Sequence, residues 1–338
     1  MAEAADSLPP AEVLLSKRVQ EMVINQEEPP HLYICRKRDV SSDPLSHFPL
    51  IDLSILSSSS STLSEQDGEL QKLRLALSSW GCFLATGHGI PSSFLDEMVR
   101  VGREFFEQPM EEKRKYEKGV EDFQGYGGDP VPAKGQPLDW SDRLFLDVYP
   151  EDRRNLKFWP ENPPTFRDVL QEYTVKMRMM TEAVSKAMAK SLDLQEDCFL
   201  NQFNYYPQCP RPDLVLGLKP HADGTGYTII LQDVEGISGS QRRQVVHNTS
   251  HVPVLFLSSW IMTNGVFKSA VHRVLSSSER DRISVAVFYI PEPNKEIGPE
   301  EALITEERPQ AYKKVKDYND EHWGYYQQGL RAIHIAKV

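Results

Sequence analysis

The chain has 338 residues, a net charge of −11 at pH 7 and four scattered cysteines. This acidic balance argues against a nucleic-acid partner, because a nucleic-acid surface needs clustered lysine and arginine. The sequence contains no run of about 18 apolar residues and no basic stretch followed by an apolar segment, so we expect neither a membrane span nor a secretory signal. Since the cysteines form no Cys-x-x-Cys pair, we expect reduced thiols and a cytoplasmic location.

The first part of the chain predicts helices that alternate with short strands. Apolar residues recur every three or four positions in several segments, which is typical of amphipathic helices. The predicted helices lie within residues 13–23, 70–80, 91–109 and 166–188, and the last is one long helix. The predicted strands are Leu50–Leu53, Gly81–Thr86 and Arg143–Val148. We expect His31–Val40 to be extended and Gly125–Gly135 to form a surface loop.

From Asn201 onward the pattern changes to short strands separated by glycine and proline. These predicted strands are Gln202–Tyr206, Gly226–Leu231 and Arg282–Ile290. Helices followed by strands favour the α+β class over a wound parallel sheet. The tail, Tyr312–Val338, has an amphipathic helical pattern. We expect residues 1–200 to pack on a core at residues 201–300, with a helical segment at residues 301–338, all in one structural unit.

Metal-ligating residue types are found in Leu218–Asp223 and Val271–Arg273. Side chains at positions i and i+2 of a strand share a face, so His221 and Asp223 can present an imidazole and a carboxylate together. His272 on another strand would add a second imidazole. Two histidines and one carboxylate that leave coordination positions of the metal open are typical of non-haem Fe(II) oxygenases. The alternative is that these residues are ordinary structural polar groups.

Arg282 and Ser284 form a second pair at positions i and i+2. A guanidinium beside a hydroxyl is suited to bind a carboxylate through two hydrogen bonds. The alternative is a surface ion pair of Arg282 with Asp281 or Glu279, which would contribute little to stability. We favour carboxylate binding because Arg282 begins a strand of alternating polarity beside the predicted metal site.

Taken together, these motifs resemble the plant iron- and 2-oxoglutarate-dependent dioxygenases, a family that includes anthocyanidin and flavonol synthases and alkaloid O-demethylases. The resemblance extends to Phe48–Asp52, Trp80–Ile90 and Asn204–Pro212, and so covers nearly the whole chain. It implies a double-stranded β-helix, or jelly roll, with packed helices that include one long central helix. It also implies that the C-terminal helical segment closes over the mouth of the active site.

The resemblance further implies a role for each candidate residue. The implied iron ligands and catalytic residues are His221, Asp223 and His272. The implied 2-oxoglutarate contacts are Arg282, Ser284, Tyr206 and Asn204, although a buried tyrosine often only binds backbone. Phe288 corresponds to a ring that stacks on the substrate in relatives, with a plain core position as the alternative. We also predict that Phe145 and Leu144 line the substrate pocket.

The implied enzyme hydroxylates, desaturates or O-demethylates a small, largely apolar specialised metabolite or hormone. It would consume O2 and 2-oxoglutarate, release succinate and CO2, use Fe(II) with ascorbate as a reductant, and act as a monomer. An ascorbate-dependent oxidase of the same fold would share the Arg-x-Ser motif and stays open. A metal hydrolase is disfavoured, because hydrolysis needs no site for a dicarboxylate. A catalytically impaired variant of the enzyme is the remaining alternative.

That last alternative follows from Ile237–Ile261, where the chain departs from the family pattern. Relatives have a strand, a Lys-Asp-Gly-Lys-Trp hairpin and a second strand there. Codons permitted for Ser238–His251 can be read one base out of frame as Gln-Val-Leu-Lys-Asp-Gly-Lys-Trp-Tyr-Thr-Ile-Pro-His, so we hypothesise that the segment is frame-shifted. Burying its arginines unpaired would be costly. We therefore expect Ser238–Ser250 to form a loop rather than paired strands, and Val252–Leu257 to recover a strand.

Overall fold

The helices of the molecule flank a β-sheet core. The computed structural model describes residues 17–35, 48–58, 60–119, 122–128, 135–192, 202–233, 237–239, 244–245, 252–257, 260–290 and 295–338. The α-helices in these ranges are α1 Val19–Ile24, α2 Leu53–Ser57, α3 Leu63–Ser79, α4 Ser92–Glu107, α5 Met110–Arg114, α6 Phe166–Leu192, α7 Tyr318–Gln327 and α8 Ile333–Ala336. Within the described ranges, none of these helices is both long and apolar enough to cross a membrane.

The described strands form two sheets. They are β1 Leu50–Asp52, β2 Cys82–Thr86, β3 Gly125–Gly127, β4 Asp142–Phe145, β5 Gln202–Tyr206, β6 Leu216–His221, β7 Tyr227–Gln232, β8 Ile237–Gly239, β9 Gln244–Val245, β10 Val254–Leu257, β11 His272–Leu275 and β12 Arg282–Tyr289. The major sheet has the order β1-β2-β10-β7-β12-β5-β4-β3, and the minor sheet has the order β6-β11-β8-β9. The β1–β2 pair is parallel, whereas β7, β10 and β12 pair antiparallel with their neighbours.

The two sheets enclose an apolar core. Tyr206 and Phe256 of the major sheet belong to one buried cluster with Val274 of the minor sheet. Gly217 on β6 permits this close packing, because a Cβ atom there would lie 2.8 Å from Cδ1 of Tyr206. Two facing, mainly antiparallel sheets with helices packed outside them confirm the predicted α+β class and the jelly-roll core.

The long helix α6 covers the outer face of the major sheet, as its sequence pattern predicts. Its apolar residues alternate steps of three and four, so they form one stripe along the helix. The buried members of this stripe include Phe166, Leu170, Tyr173, Met177, Met180 and Val184. They share one core cluster with Ile229 of β7 and with Val285 and Val287 of β12. Met177 and Met180 are therefore part of the core.

Gly125–Gly127 corrects the prediction of a surface loop at Gly125–Gly135. These three residues form the buried strand β3, which pairs with β4. The glycines suggested a turn, but the buried Tyr126 ring packs edge-on against Phe105 at 5.8 Å and so holds the strand in the core. The extended prediction for His31–Val40 is also wrong at its start, since His31–Tyr33 form a 3-10 helix, while residues 36–40 lie outside the described ranges.

The departing segment is partly paired, which corrects the prediction that Ser238–Ser250 form no paired strands. The backbone of β8 pairs with β9, and β8 also pairs with β11. Pairing with β8 satisfies the backbone hydrogen-bonding groups at the edge of β11, and this does not depend on the side chains of the departing segment. The remaining residues of that segment lie outside the described ranges. The predicted strand after it is present as β10.

Candidate active site

Three metal-ligating side chains converge where β6 ends and β11 begins. His221 and His272 are directly paired in the register of these two strands, and Asp223 follows His221 by two residues. The Oδ1 atom of Asp223 lies 3.3 Å from Nε2 of His221 and 3.8 Å from Nε2 of His272. All three ligand atoms lie within 4.8 Å of one another. The predicted cluster therefore exists as one compact group.

A hydrogen bond from the Nδ1 atom orients each of the two imidazoles. Nδ1 of His221 lies 2.8 Å from the carbonyl oxygen of Lys219, and Nδ1 of His272 lies 3.3 Å from that of Ala270. An Nδ1–H group that donates to a carbonyl leaves Nε2 as the lone-pair atom, which is the usual arrangement behind a metal-bound histidine. The ring of Phe256 stacks on His272 at 4.4 Å and restricts its rotation.

Electrostatics favours the metal-binding protonation states of Asp223 and His272. Burial lowers the pKa of His272 to about 4, so this imidazole is neutral near pH 7. Burial acts to raise the pKa of Asp223, but the two histidines and their hydrogen bonding outweigh it and hold that pKa below its usual value. Metal ligation requires a neutral imidazole and an ionised carboxylate. Asp223 and His272 already have these forms.

The donor set also fits Fe(II). Oδ2 of Asp223 is buried and has no hydrogen-bond partner among the described residues. A buried carboxylate oxygen without a partner is costly unless something binds it. Two imidazole nitrogens and one carboxylate are the ligands of the facial triad that non-haem Fe(II) oxygenases use.

Several buried polar side chains surround Arg282 at the start of β12. Arg282 is only 4% exposed, which excludes the surface ion pair that was its alternative. Its Nη2 donates to Oε1 of Gln232 at 2.6 Å, and its Nη1 lies 3.5 Å from Oγ of Ser284. The guanidinium carbon lies 4.7 Å from the centre of the Tyr206 ring. Three of the predicted cosubstrate contacts, Arg282, Ser284 and Tyr206, are therefore adjacent.

Gln232 is a polar member of this group that sequence reasoning missed. Its Nε2 is buried without a hydrogen-bond partner in the described part of the chain. Gln232 is paired with Ser284 across β7 and β12, a register that the sequence does not reveal. Asn204 is also paired with Ser284, on the other side of β12, but its side chain lies outside what the structure describes.

A pocket that is open to solvent adjoins the metal-ligating group. Phe145 and Phe288, two of the residues predicted for the substrate pocket, line it. Leu144 is a correction, because it is 1% exposed and packs in the core cluster beneath the helices. Neighbouring residues of a strand point to opposite faces, so Leu144 points away from the pocket when Phe145 faces it.

Several lining residues were missed by sequence reasoning, and three of them come from α7. His322 was not among the predicted site residues, yet it lines the pocket with Trp323 and Tyr326. Nε2 of His322 lies 2.7 Å from the carbonyl oxygen of Ala222, directly beside Asp223. The expected position of the C-terminal helical segment over the active site could have indicated that its residues line the pocket. The other missed lining residues include Phe123 and Arg143.

Tyr326 connects α7 to the metal-ligating strand. Its hydroxyl donates to Oδ2 of Asp139 at 2.7 Å, and the same oxygen accepts from Nζ of Lys219 at 2.7 Å. Its ring packs edge-on against His221 at 5.2 Å. The buried Asp139–Lys219 pair therefore anchors both the C-terminal helix and β6 behind the metal-ligating group.

Comparisons with known proteins agree with this geometry. Residues 48–162 match the family described as non-haem dioxygenase in morphine synthesis N-terminal, and residues 195–291 match the 2OG-Fe(II) oxygenase superfamily. Protein SRG1 of Arabidopsis thaliana is 33% identical, over 91% of this chain and 92% of that protein. Codeine O-demethylase of Papaver somniferum is 35% identical, over 80% of this chain and 79% of that enzyme.

A solved structure is similar over almost the whole chain. The crystal structure of JOX2 in complex with 2OG, Fe, and JA superposes with a TM-score of 0.84, at 28% identity, over 95% of this chain and 98% of JOX2. The order of the two matched families also follows the order of helices and jelly-roll strands described above. With a third of its residues shared along nearly the full length of a plant relative, the chain belongs to the plant Fe(II)- and 2-oxoglutarate-dependent dioxygenases.

Proposed function

We propose that His221, Asp223 and His272 hold the catalytic Fe(II) of this enzyme. The observation that carries this assignment is the convergence of their ligand atoms within 4.8 Å, with both Nδ1 atoms directed at backbone carbonyls. The backbone fixes the two rings, so that their Nε2 atoms face the same point as the carboxylate. Bound iron, together with 2-oxoglutarate and O2, supplies the oxidation of a substrate C–H bond with release of succinate and CO2.

We propose that Arg282 and Ser284 bind the far carboxylate of 2-oxoglutarate, with Tyr206 beside them. Arg282 is a permanent cation, and its planar fork is held in place by Gln232 and by the face of Tyr206. Nε2 of Gln232, which has no partner among the described residues, is a further donor for the same carboxylate. Asn204, on the neighbouring strand, is the fourth proposed contact.

We propose that the pocket beside the metal ligands holds the substrate, a small specialised metabolite or hormone that is largely apolar. Phe145 and Phe288 supply apolar surface, and α7 reduces the access of water to the metal-ligating group. The reaction is hydroxylation, desaturation or O-demethylation, because all three begin with oxidation of a C–H bond. Ascorbate would serve as a reductant.

Succinate release from the purified full chain tests this function. We expect 2-oxoglutarate to be converted to succinate when Fe(II) and O2 are supplied, and the conversion to stop when a chelator removes the metal. Asp223→Ala, loaded in the same way, is the matched inactive control. Product formed with ascorbate but without 2-oxoglutarate would instead identify the ascorbate-dependent oxidase.

A catalytically impaired enzyme is the second candidate, and one observation favours it. The departing segment begins with β8, and Gly239 of β8 is paired with His272 itself. An altered side-chain pattern there acts next to a proposed metal ligand. Iron binding without succinate release above the metal-free control would support this candidate. A monomeric state and a cytoplasmic location also stay predictions, and size-exclusion chromatography tests the first.

A further inference from the structure

The proposed substrate pocket contains a buried cation that neither the metal ligands nor the cosubstrate contacts include. Arg143 is 5% exposed and lines the pocket on β4, on the same face as Phe145. Its guanidinium carbon lies 5.3 Å from the centre of the Trp323 ring and 6.0 Å from that of Phe123. These aromatic rings hold the guanidinium at the pocket wall.

The charges around the pocket favour an anionic guest. Asp223 is the single carboxylate among the described residues that line the pocket. In the proposed enzyme with iron and 2-oxoglutarate bound, the positive charges of Fe(II) and Arg282 equal in sum the negative charges of Asp223 and of the 2-oxoglutarate dianion. Arg143 belongs to neither side of this catalytic balance, and its side chain lines the substrate space together with Phe145. A guest carboxylate would form a charge-assisted pair with this guanidinium, whereas a wholly apolar guest would only shield it from water.

We propose that the substrate carries a carboxylate, and that Arg143 binds this carboxylate and thereby determines substrate choice. The proposal rests on the proposed oxygenase function and specifies its substrate class. A guanidinium binds a carboxylate through two parallel charge-assisted hydrogen bonds, which fix orientation as well as affinity. Arg143 would therefore position the apolar remainder of the substrate against Phe145 and Phe288.

The position of Arg143 also constrains which carbon is oxidised. Trp323 stacks on Tyr326 at 5.3 Å, and Tyr326 packs against His221 at 5.2 Å. Two aromatic rings therefore separate Arg143 from the metal-ligating imidazole along this wall. A substrate whose carboxylate is bound by Arg143 presents to the metal a carbon farther along its apolar part.

Binding of matched carboxylic acids and amides tests the proposal without relying on turnover. The probes are the straight-chain phenyl acids from phenylacetate to phenylvalerate, each paired with its primary amide. Affinities are measured by calorimetry under nitrogen, on the full chain loaded with Fe(II) and 2-oxoglutarate. We expect the best acid to bind about tenfold or more tightly than its amide, because only the acid forms the charge-assisted pair.

Variants of Arg143 separate the charge from the shape of the side chain. Arg143→Met keeps length and apolar contact, so it should remove the preference for the acid while amide affinity changes little. Arg143→Lys should keep part of the preference, since it retains the charge but not the fork. Phe145→Leu, the matched control, should weaken acid and amide alike. Melting temperatures verify that each variant is folded.

Three outcomes overturn the proposal: equal affinity of acid and amide, no binding of any acid, or a preference that survives in Arg143→Met. A neutral aromatic guest that stacks on the guanidinium would give the first of these results. Succinate release by the wild-type chain is scored separately. If iron-dependent succinate release is absent, the proposed function fails, whereas succinate release without an acid preference refutes the inference about Arg143 alone.

Discussion

At the scale of single residues, the protein supplies three proposed iron ligands, so the loss of any one side chain leaves only two. We expect His221→Ala, Asp223→Ala and His272→Ala each to abolish iron binding and succinate release together, because two ligands hold Fe(II) poorly. Iron content after gel filtration and succinate release measure the two effects. His334→Ala, which removes an exposed histidine, is the control and should retain both. Full iron content in any of the three variants would remove that residue from the site.

Arg282→Lys tests the proposed cosubstrate contact. A lysine keeps the positive charge, but it loses the bidentate fork and the hydrogen bond to Gln232. We expect the apparent KM for 2-oxoglutarate to rise about tenfold, in line with the loss of one charge-assisted hydrogen bond. Initial rates over a range of 2-oxoglutarate concentrations measure it. Arg280→Lys, an exposed change two residues away, should leave the KM as it is. An unchanged KM in Arg282→Lys would mean that the carboxylate binds elsewhere.

The sequence predicted candidate residues that lie two positions apart along the chain, although Asp223 lies just beyond the end of β6. His221 with Asp223, and Arg282 with Ser284, share a face by local geometry alone. The sequence could not predict Gln232, because it reaches its group through strand register and not through spacing. Arg143 lies two positions before Phe145 on β4, so whether it lines the pocket depends on how the sheet packs. The sequence also could not choose between Leu144 and Phe145, since the inward face of a strand depends on how the sheet packs.

At the scale of elements, α7 approaches the metal-ligating loop so closely that Gly224 has no room for a side chain. A Cβ atom on Gly224 would lie 2.1 Å from Cγ of His322 and 2.5 Å from its Cβ. We expect Gly224→Ala to displace α7, to lower stability by about 1–3 kcal/mol and to weaken turnover. Melting temperature and succinate release measure these effects.

Gly68→Ala is the matched control for that change. Gly68 lies in the exposed face of α3, where a Cβ atom would have no neighbouring atom within 4 Å. Alanine at such a helical position should be neutral or stabilise the chain by about 0.4–1 kcal/mol. If Gly224→Ala behaves like Gly68→Ala, then α7 is free to move without affecting the site.

The elements themselves were predicted unequally. Long amphipathic helices such as α6 were predicted well, because their period is set by many residues. The strand β3 was missed, since its three residues are glycine, tyrosine and glycine and only the burial of Tyr126 makes them a strand. The tail was predicted as helical from Tyr312, whereas its first helix, α7, begins at Tyr318.

At the scale of the whole molecule, the major sheet combines strands from distant parts of the chain. The strands β1 to β4 share it with β5, β7, β10 and β12. Pairings over such separations leave no local signal in the sequence, so strand order could be expected only from the family resemblance. The division into residues 1–200, 201–300 and 301–338 stays a prediction.

The departing segment carries the prediction that concerns the whole fold. We expect replacement of Ser238–His251 by Gln-Val-Leu-Lys-Asp-Gly-Lys-Trp-Tyr-Thr-Ile-Pro-His to raise both melting temperature and 2-oxoglutarate turnover. The replacement restores alternation of apolar and polar residues next to β11, so that the apolar side chains face the core. The chain as written is the reference, and both proteins are measured at saturating iron.

Equal stability and equal turnover of the two proteins would show that the segment is a tolerated variation. Sequencing of independent transcripts across Ile237–Ile261 tests its origin separately. An intact reading frame in all of them would contradict the frame-shift hypothesis, whatever the replacement does to stability.

The pocket takes its walls and its metal ligands from different parts of the chain. The proposed iron ligands lie on or beside two strands of the minor sheet, whereas Phe123, Arg143 and Trp323 come from parts of the chain that are distant in sequence from these ligands. Mutations in these outer segments can change the shape and charge of the pocket while the iron ligands stay as they are. Lineages that descend from one ancestral oxygenase can therefore acquire new substrates by small steps, each of which keeps the chemistry intact.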